Sequence, residues 1–122
     1  MRGLIGTNAA AIEIIDGVAA GGTVAHAPDL IVSEVTNALR VAIHPERWPV
    51  EAARERLDTF LEWPLAIQSC RPLAAAALAC ASELGISAYD AFYAVLSVEL
   101  NLPLLTADRR LAAAVPGAVL VQ

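Results

Sequence analysis

The chain has 122 residues, a length that supports one domain with a substantial core and is too short for two. Apolar residues make up 57% of it, yet the longest apolar run, 72–81, is far shorter than the roughly 18 residues of a membrane span. Eight arginines, no lysine and thirteen acidic residues give a net charge of −5, which excludes a protein that coats nucleic acid through a bulk positive field. We therefore predict a single domain, 1–122, whose phosphate contacts are local.

The N-terminus and the cysteines indicate the cellular compartment in which the protein is expected. No sustained apolar stretch or small-residue cleavage site opens the chain, so we expect no signal peptide, no membrane partner and a cytoplasmic location. Cys70 and Cys80 lack the CxxC or Cys/His spacing of a zinc site. We predict that both are free, buried thiols.

The first half of the chain is predicted to be mostly helical. A helix over 7–20 follows a Thr7-Asn8 cap and ends at a glycine pair. A strand at 23–26 comes next and is broken by Ala27-Pro28-Asp29. The helix that follows runs to about Ile43, and a strongly charged helix covers 51–62.

The second half alternates between strands and helices. Gly85 is the expected stop of one helix, and Ser87 is the expected N-cap of the next. The predicted elements are a strand at 65–68, helices at 73–84 and 88–101, a strand at 104–105, a helix at 108–115 and a strand at 118–121.

The predicted strands are apolar without polar alternation, which is typical of strands covered on both faces. Strands of this kind, separated by helices, predict an α/β fold in which a parallel sheet lies between helical layers, a three-layer α/β/α sandwich. A flavodoxin-like or receiver domain shares this plan. That alternative lacks support here, because no Gly-rich phosphate loop or lysine lies near the strand ends.

Three acidic residues fall where the carboxyl edge of such a sheet is expected. Glu34 lies in the first turns of the helix after the 23–26 strand, Asp90 is the third residue after Ser87, and Asp108 follows the 104–105 strand closely. Each also has a purely structural explanation. Asp90 fits a capping box, Asp108 fits an N-cap, and Glu34 could simply be solvated.

Convergence of the three carboxylates would require a counter-ion. Close pairs of like charges repel by about 1 kcal/mol or more, and helix N-termini supply only about half a charge each. Oxygen ligands without nearby histidine or cysteine suit Mg²⁺, or Mn²⁺, better than zinc. Such an ion can bridge a substrate phosphate, activate water and stabilise the leaving oxygen.

Three sequence blocks follow one another along the chain: Pro28-Asp29-Leu30 with Glu34-Val35-x-Asn37-Ala38-Leu39, then Ser87-x-Tyr89-Asp90-Ala91-x-Tyr93, and then Leu105-Thr106-Ala107-Asp108-Arg109-Arg110-Leu111. Together they resemble the PIN-domain family, most closely its VapC-type ribonuclease toxins. The resemblance spans nearly the whole chain in the family's order. It implies the PIN-like α/β/α sandwich, magnesium-dependent endoribonuclease activity, and a small antitoxin that blocks the site of the toxin.

The same resemblance implies roles for individual residues. Glu34, Asp90 and Asp108 match the catalytic, metal-binding acids of the family. Thr106 matches the hydroxyl of its T-x-D block, and Asn37 supports the site. Arg40, Arg109 and Arg110 are candidates to contact RNA phosphates, with a solvated face as the alternative. The apolar, alanine-rich helices leave surface for a homodimer and for a partner segment.

One departure from the family pattern concerns the N-terminus. Family members begin with an apolar strand that ends in Asp, of the form V-V-D-x-S, whereas this sequence begins Met1-Arg2-Gly3-Leu4-Ile5-Gly6. We expect that the first strand, the centre of the family's sheet, and the first acidic ligand lie upstream of a start codon placed too late. The alternatives are a truncated gene product, or a catalytically impaired PIN-like domain that serves as a binding partner or scaffold.

Overall fold

The computed structural model describes residues 24–121. The helix predicted over 7–20 lies outside this range. The elements, in chain order, are β1 (Ala25–Pro28), α1 (Leu30–Ala42), α2 (Val50–Leu61), β2 (Leu65–Gln68), a 3-10 turn (Arg71–Leu73), α3 (Ala74–Leu84), α4 (Ala88–Leu100), β3 (Leu105–Thr106), α5 (Arg109–Ala114) and β4 (Val119–Leu120).

Local signals explain the ends of α3 and α4. Gly85 takes a left-handed conformation with φ of 68° directly after α3, a conformation that glycine adopts without strain. Ser87 then caps α4, since its side chain accepts a hydrogen bond from the backbone N–H of Asp90 at 3.1 Å. Asn101 ends α4 with a positive φ of 53°, a conformation that asparagine tolerates better than most residues. The predicted boundaries here hold to within one residue.

The position of β1 differs from the prediction. The strand was expected at 23–26 with Pro28 beyond its end, but it covers Ala25–Pro28. The N–H of the next residue, Asp29, donates to the carbonyl of Gln68 in β2 at 2.7 Å. Successive N–H groups of a strand point to opposite sides, so the missing N–H of Pro28 falls on the side away from β2, where this pairing does not need it.

Two parallel strand pairs form the β-structure of the described chain. β1 pairs with β2 from Ala25↔Leu65 to Pro28↔Gln68. β3 pairs with β4, with Leu105 opposite Val119. Between residues 24 and 121 no ladder joins one pair to the other. The parallel pairing predicted from the apolar strands is confirmed, and so is the α/β class.

Two apolar clusters form the core of the described residues. The β3 cluster consists of Ala94, Leu104, Leu111 and Val115, with Tyr93, Ile86, Cys80 and Ala118 packed against it. The α1–α2 cluster consists of Val35, Leu39 and Ala53, with five further apolar side chains around it. α3 packs along α4, where Ala77 and Ala91 are almost completely buried. Small side chains at this contact allow the two helices to approach closely.

Within residues 24–121 no single helix is long and apolar enough to cross a membrane. The segments Arg71–Leu84 and Ala88–Leu100 meet the length and composition criteria only when taken together, and the chain bends by 110° between them.

Candidate functional site

A large cavity lies between the two strand pairs. Its volume is about 1050 Å³. Residues 24–27, which include most of β1, line one part of it, and residues 104–107, which include β3, line another. Glu34 and Tyr93 also contribute to the wall. Both strand pairs therefore face one space, and one of the predicted acids lies at it.

Glu34 is held by a tyrosine from a distant part of the chain. It lies on α1, exposed, and its Oε1 accepts a hydrogen bond from the Tyr93 hydroxyl of α4 at 2.5 Å. Burial, followed by this bond to Glu34, raises the pKa of Tyr93 well above its ordinary value. The hydroxyl therefore keeps its proton at neutral pH and can only donate to the carboxylate.

Asp90 belongs to the same neighbourhood. It lies in the first turn of α4, one helical turn before Tyr93, and is half-buried. Its charge is among the smaller causes that raise the pKa of Tyr93, after burial, Glu34 and Cys70. The N-terminus of α4 favours a negative charge at this position. Tyr93 thus lies in direct contact with Glu34 and one helical turn from Asp90, two acids that are distant from each other in sequence.

Asp108 has a demonstrable structural role. It is the N-cap of α5, and its Oδ1 accepts hydrogen bonds from the N–H groups of Arg110 and Leu111 at 2.8 and 3.2 Å. Thr106 Oγ1 in turn accepts from the N–H of Asp108 at 3.0 Å. Thr106 lines the cavity together with Glu34. The T-x-D block is therefore a compact turn at the cavity, with one carboxylate oxygen used by the cap.

Replacing Asp108 by Asn or by Ala separates the cap from the charge. Asn caps a helix about as well as Asp, whereas Ala loses about 1 kcal/mol of stability. We expect Asp108→Asn to keep the melting temperature of the parent and to lose the RNA cleavage that the resemblance implies. Asp108→Ala is expected to lose that cleavage and also to melt at a lower temperature. Thermal unfolding and a cleavage assay on the same samples measure this. Cleavage by Asp108→Asn at the parental rate would leave Asp108 with the cap as its sole role.

The three acids do not form a ready metal cage. Within residues 24–121 no group of three His, Cys, Asp or Glu side chains is placed to hold a metal ion. The structure brings Glu34 and Asp90 to Tyr93, and it places Asp108 at the turn beside Thr106. Mg²⁺ commonly binds through one or two carboxylates and keeps several waters. By the chemistry of their donors, Glu34 and Asp90 are each suitable ligands for such an ion.

The remaining predicted site residues are exposed. Asn37 lies on α1 one turn after Glu34, and Arg40 lies in the last turn of that helix. Arg109 and Arg110 occupy the first turn of α5, directly after Asp108. Their positions leave these side chains accessible, and a contact with RNA stays a prediction for all three arginines.

Sequence reasoning gave no role to Tyr93, although the motif that contains it was noted. The spacing of Asp90 and Tyr93, three residues apart on a helix, places both on one face. That signal indicated a shared neighbourhood for the pair. The contact with Glu34 spans 59 residues and has no local signal in the sequence.

The two cysteines are free, as predicted, and both are partly rather than fully buried. Cys70 precedes the 3-10 turn, and its N–H donates to Asp29 Oδ1 at 3.3 Å. Partial burial, followed by a hydrogen bond to Asp29, raises the pKa of the Cys70 thiol. This keeps the thiol protonated, which disfavours a role as a nucleophile.

Comparison with protein families gives one match that covers most of the chain. The sequence model of the PIN domain family matches residues 6–115. Ribonuclease VapC1 of Mycobacterium tuberculosis, from strains CDC 1551 / Oshkosh and ATCC 25618 / H37Rv, is 37% identical over 97 residues. That alignment covers 78% of this chain and 70% of the ribonuclease.

Comparison with solved structures supports the same fold. The crystal structure of PAE2754 from Pyrobaculum aerophilum superposes with a TM-score of 0.68 at 30% sequence identity. The superposition covers 77% of this chain and 68% of that protein.

Proposed function

Because this chain belongs to the PIN-domain family, in its VapC-type branch, we propose that it is an endoribonuclease toxin that hydrolyses RNA phosphodiester bonds. Its place of action in this proposal is the cytoplasm. The fold is the PIN-like α/β sandwich, and residues 1–122 are taken as one domain.

The observation that carries the proposal is the hydrogen bond from the Tyr93 hydroxyl to Glu34 on the wall of a large cavity, with Asp90 one helical turn before Tyr93. A carboxylate held at the wall of a cavity, with a second acid one helical turn from its tyrosine donor, is a chemically suitable place for a divalent cation that faces a phosphodiester.

The cofactor in this proposal is Mg²⁺, with Mn²⁺ as a substitute. Glu34 and Asp90 would hold it, and Asp108 would contribute through the oxygen that the α5 cap leaves free. A bound divalent ion would supply charge stabilisation to the phosphate as it reacts. Thr106 orients the Asp108 turn through its hydrogen bond, and Asn37 supports the Glu34 side of the site.

The proposed partners follow from the same family membership. RNA is the substrate, and Arg40, Arg109 and Arg110 are the side chains proposed to meet its phosphates. A small antitoxin is the proposed inhibitor, and two copies of the chain form the proposed dimer. Several apolar side chains on α3 and α4 are well exposed, among them Leu78 at 70% and Val98 at 78%, and such side chains are available for contacts between proteins.

The direct test is cleavage of a structured RNA by the purified full chain. We expect cleavage in Mg²⁺ or Mn²⁺, loss of cleavage when EDTA removes the ion, and recovery when Mg²⁺ is returned. A catalytically impaired PIN-like scaffold is the second candidate, favoured by the lack of a three-acid cluster within the described residues. RNA that stays intact in Mg²⁺, at every enzyme concentration, would reject the nuclease and support the scaffold.

A further inference from the structure

Tyr93 has no role in the chemistry proposed above, yet both its ring and its hydroxyl make defined contacts. Its ring packs against the β3 cluster of Ala94, Leu104, Leu111 and Val115. Its hydroxyl donates to Glu34 Oε1 at 2.5 Å. A rigid ring anchored in a packed core thus presents one hydrogen-bond donor at a fixed place on the cavity wall.

We propose that Tyr93 is a positioning residue that fixes the carboxylate of Glu34 by holding Oε1, so that Oε2 is presented to the divalent cation. This inference rests on the proposed function, because it assigns Tyr93 a role at that same site. It adds a residue that the family acids do not include.

The need for such a device follows from the location of Glu34. This side chain is exposed on α1 and has three rotatable bonds before its carboxylate. Holding it in one arrangement costs conformational entropy, which weakens any ligand that has to impose that arrangement itself. A donor that fixes one oxygen in advance lowers this cost. Groups that orient metal-binding side chains in this way typically change metal affinity or activity 10–100-fold.

The two groups are chemically suited to a hydrogen bond in which the tyrosine hydroxyl donates and the carboxylate accepts. A carboxylate accepts hydrogen bonds at both oxygens, and a tyrosine hydroxyl that keeps its proton can donate. The hydroxyl oxygen lies 2.5 Å from Oε1, so the contact is within hydrogen-bond distance.

The experiment compares Tyr93→Phe with Tyr89→Phe. Both variants remove one hydroxyl from α4 and keep the ring, but Tyr89 is 66% exposed and has no hydrogen bond to Glu34. Mn²⁺ binding to the full chain is measured by titration calorimetry. We expect Tyr93→Phe to weaken Mn²⁺ about tenfold and Tyr89→Phe to leave the affinity unchanged. The melting temperatures of both variants are recorded without metal.

Two further readouts separate positioning from a general structural role. Raising the Mn²⁺ concentration should restore RNA cleavage by Tyr93→Phe, since the site is weakened and not destroyed. In a Glu34→Ala background, adding Tyr93→Phe should cause no further loss of Mn²⁺ affinity, because the carboxylate that it orients is absent. A loss of the same size in both backgrounds would overturn the inference.

The outcomes also distinguish the inference from the proposed function. If the wild type binds Mn²⁺ and cleaves RNA, and Tyr93→Phe binds Mn²⁺ with the same affinity, only the role of Tyr93 is overturned. A wild type that neither binds Mn²⁺ nor cleaves RNA overturns both proposals together.

Discussion

Asp90→Asn is expected to lower RNA cleavage by at least about a hundredfold, the loss typical when one preorganised electrostatic group is removed from a site. The side chain keeps its size but loses the charge proposed to hold the cation. The α4 cap survives, because it is the backbone N–H of Asp90 that donates to Ser87. Folding should therefore change little, by about 0.3–1 kcal/mol for the lost interaction with the helix dipole.

Glu99→Gln is the matched control for this substitution. It removes one carboxylate charge from the same helix, at an exposed position in its last turn. We expect it to cleave RNA at the parental rate. Cleavage and thermal unfolding are measured for wild type and both variants, in Mg²⁺ and in EDTA. If Asp90→Asn cleaves RNA as fast as Glu99→Gln, Asp90 does not belong to the catalytic site.

Local signals account for most of the helix boundaries. Ser87, Gly85 and Asp108 were expected to cap or end helices, and each does so in the structure. These signals act through hydrogen bonds and backbone angles within a few residues, so they are legible in the sequence alone. The end of β1 near Pro28 was predicted wrongly because it does not depend on a local signal. The effect of this proline depends on which backbone groups of β1 are used by β2, and that is a property of the pairing.

The strand arrangement required information beyond the local pattern. Apolar strands without alternation predicted parallel pairing, which is confirmed for β1–β2 and for β3–β4. The grouping into two separate pairs in the described chain has no local signal, because strand order depends on contacts across the whole sheet. The cavity bordered by β1 and β3 lies between these pairs.

The candidate site, like the fold, could be predicted from the sequence only in part. Glu34 and Asp90 were identified by motif, and the structure brings both to Tyr93. A shared site for all three acids stays a prediction, since Asp108 is engaged in its cap and no three-residue cluster is present in the part of the chain that the structure describes. The Glu34–Tyr93 bond could not be read from the sequence. It depends on how α1 and α4 approach each other, which is set by tertiary packing.

Leu111→Ala is expected to produce the largest loss of stability, about 2–5 kcal/mol. Leu111 is only 5% exposed and packs with Ala94, Leu104 and Val115 in the cluster that anchors β3 and α5. Truncation removes apolar area and leaves a cavity that the neighbouring backbone cannot close fully. A loss of this size is a large part of the 5–15 kcal/mol that stabilises a typical domain. Equilibrium unfolding in urea measures it.

Leu78→Ala is the same substitution at a solvent-facing position of α3, where the side chain is 70% exposed. We expect it to change the free energy of unfolding by no more than about 0.5 kcal/mol. The difference between the two variants isolates burial, because the chemistry of the change and the helical setting are shared. Equal losses would mean that Leu111 is not in the core.

The hydrogen bonds of the Asp108 cap use the backbone N–H of Leu111 and survive its truncation. A loss of cleavage in Leu111→Ala is therefore expected to follow the unfolded fraction and to vanish at temperatures where the variant is folded.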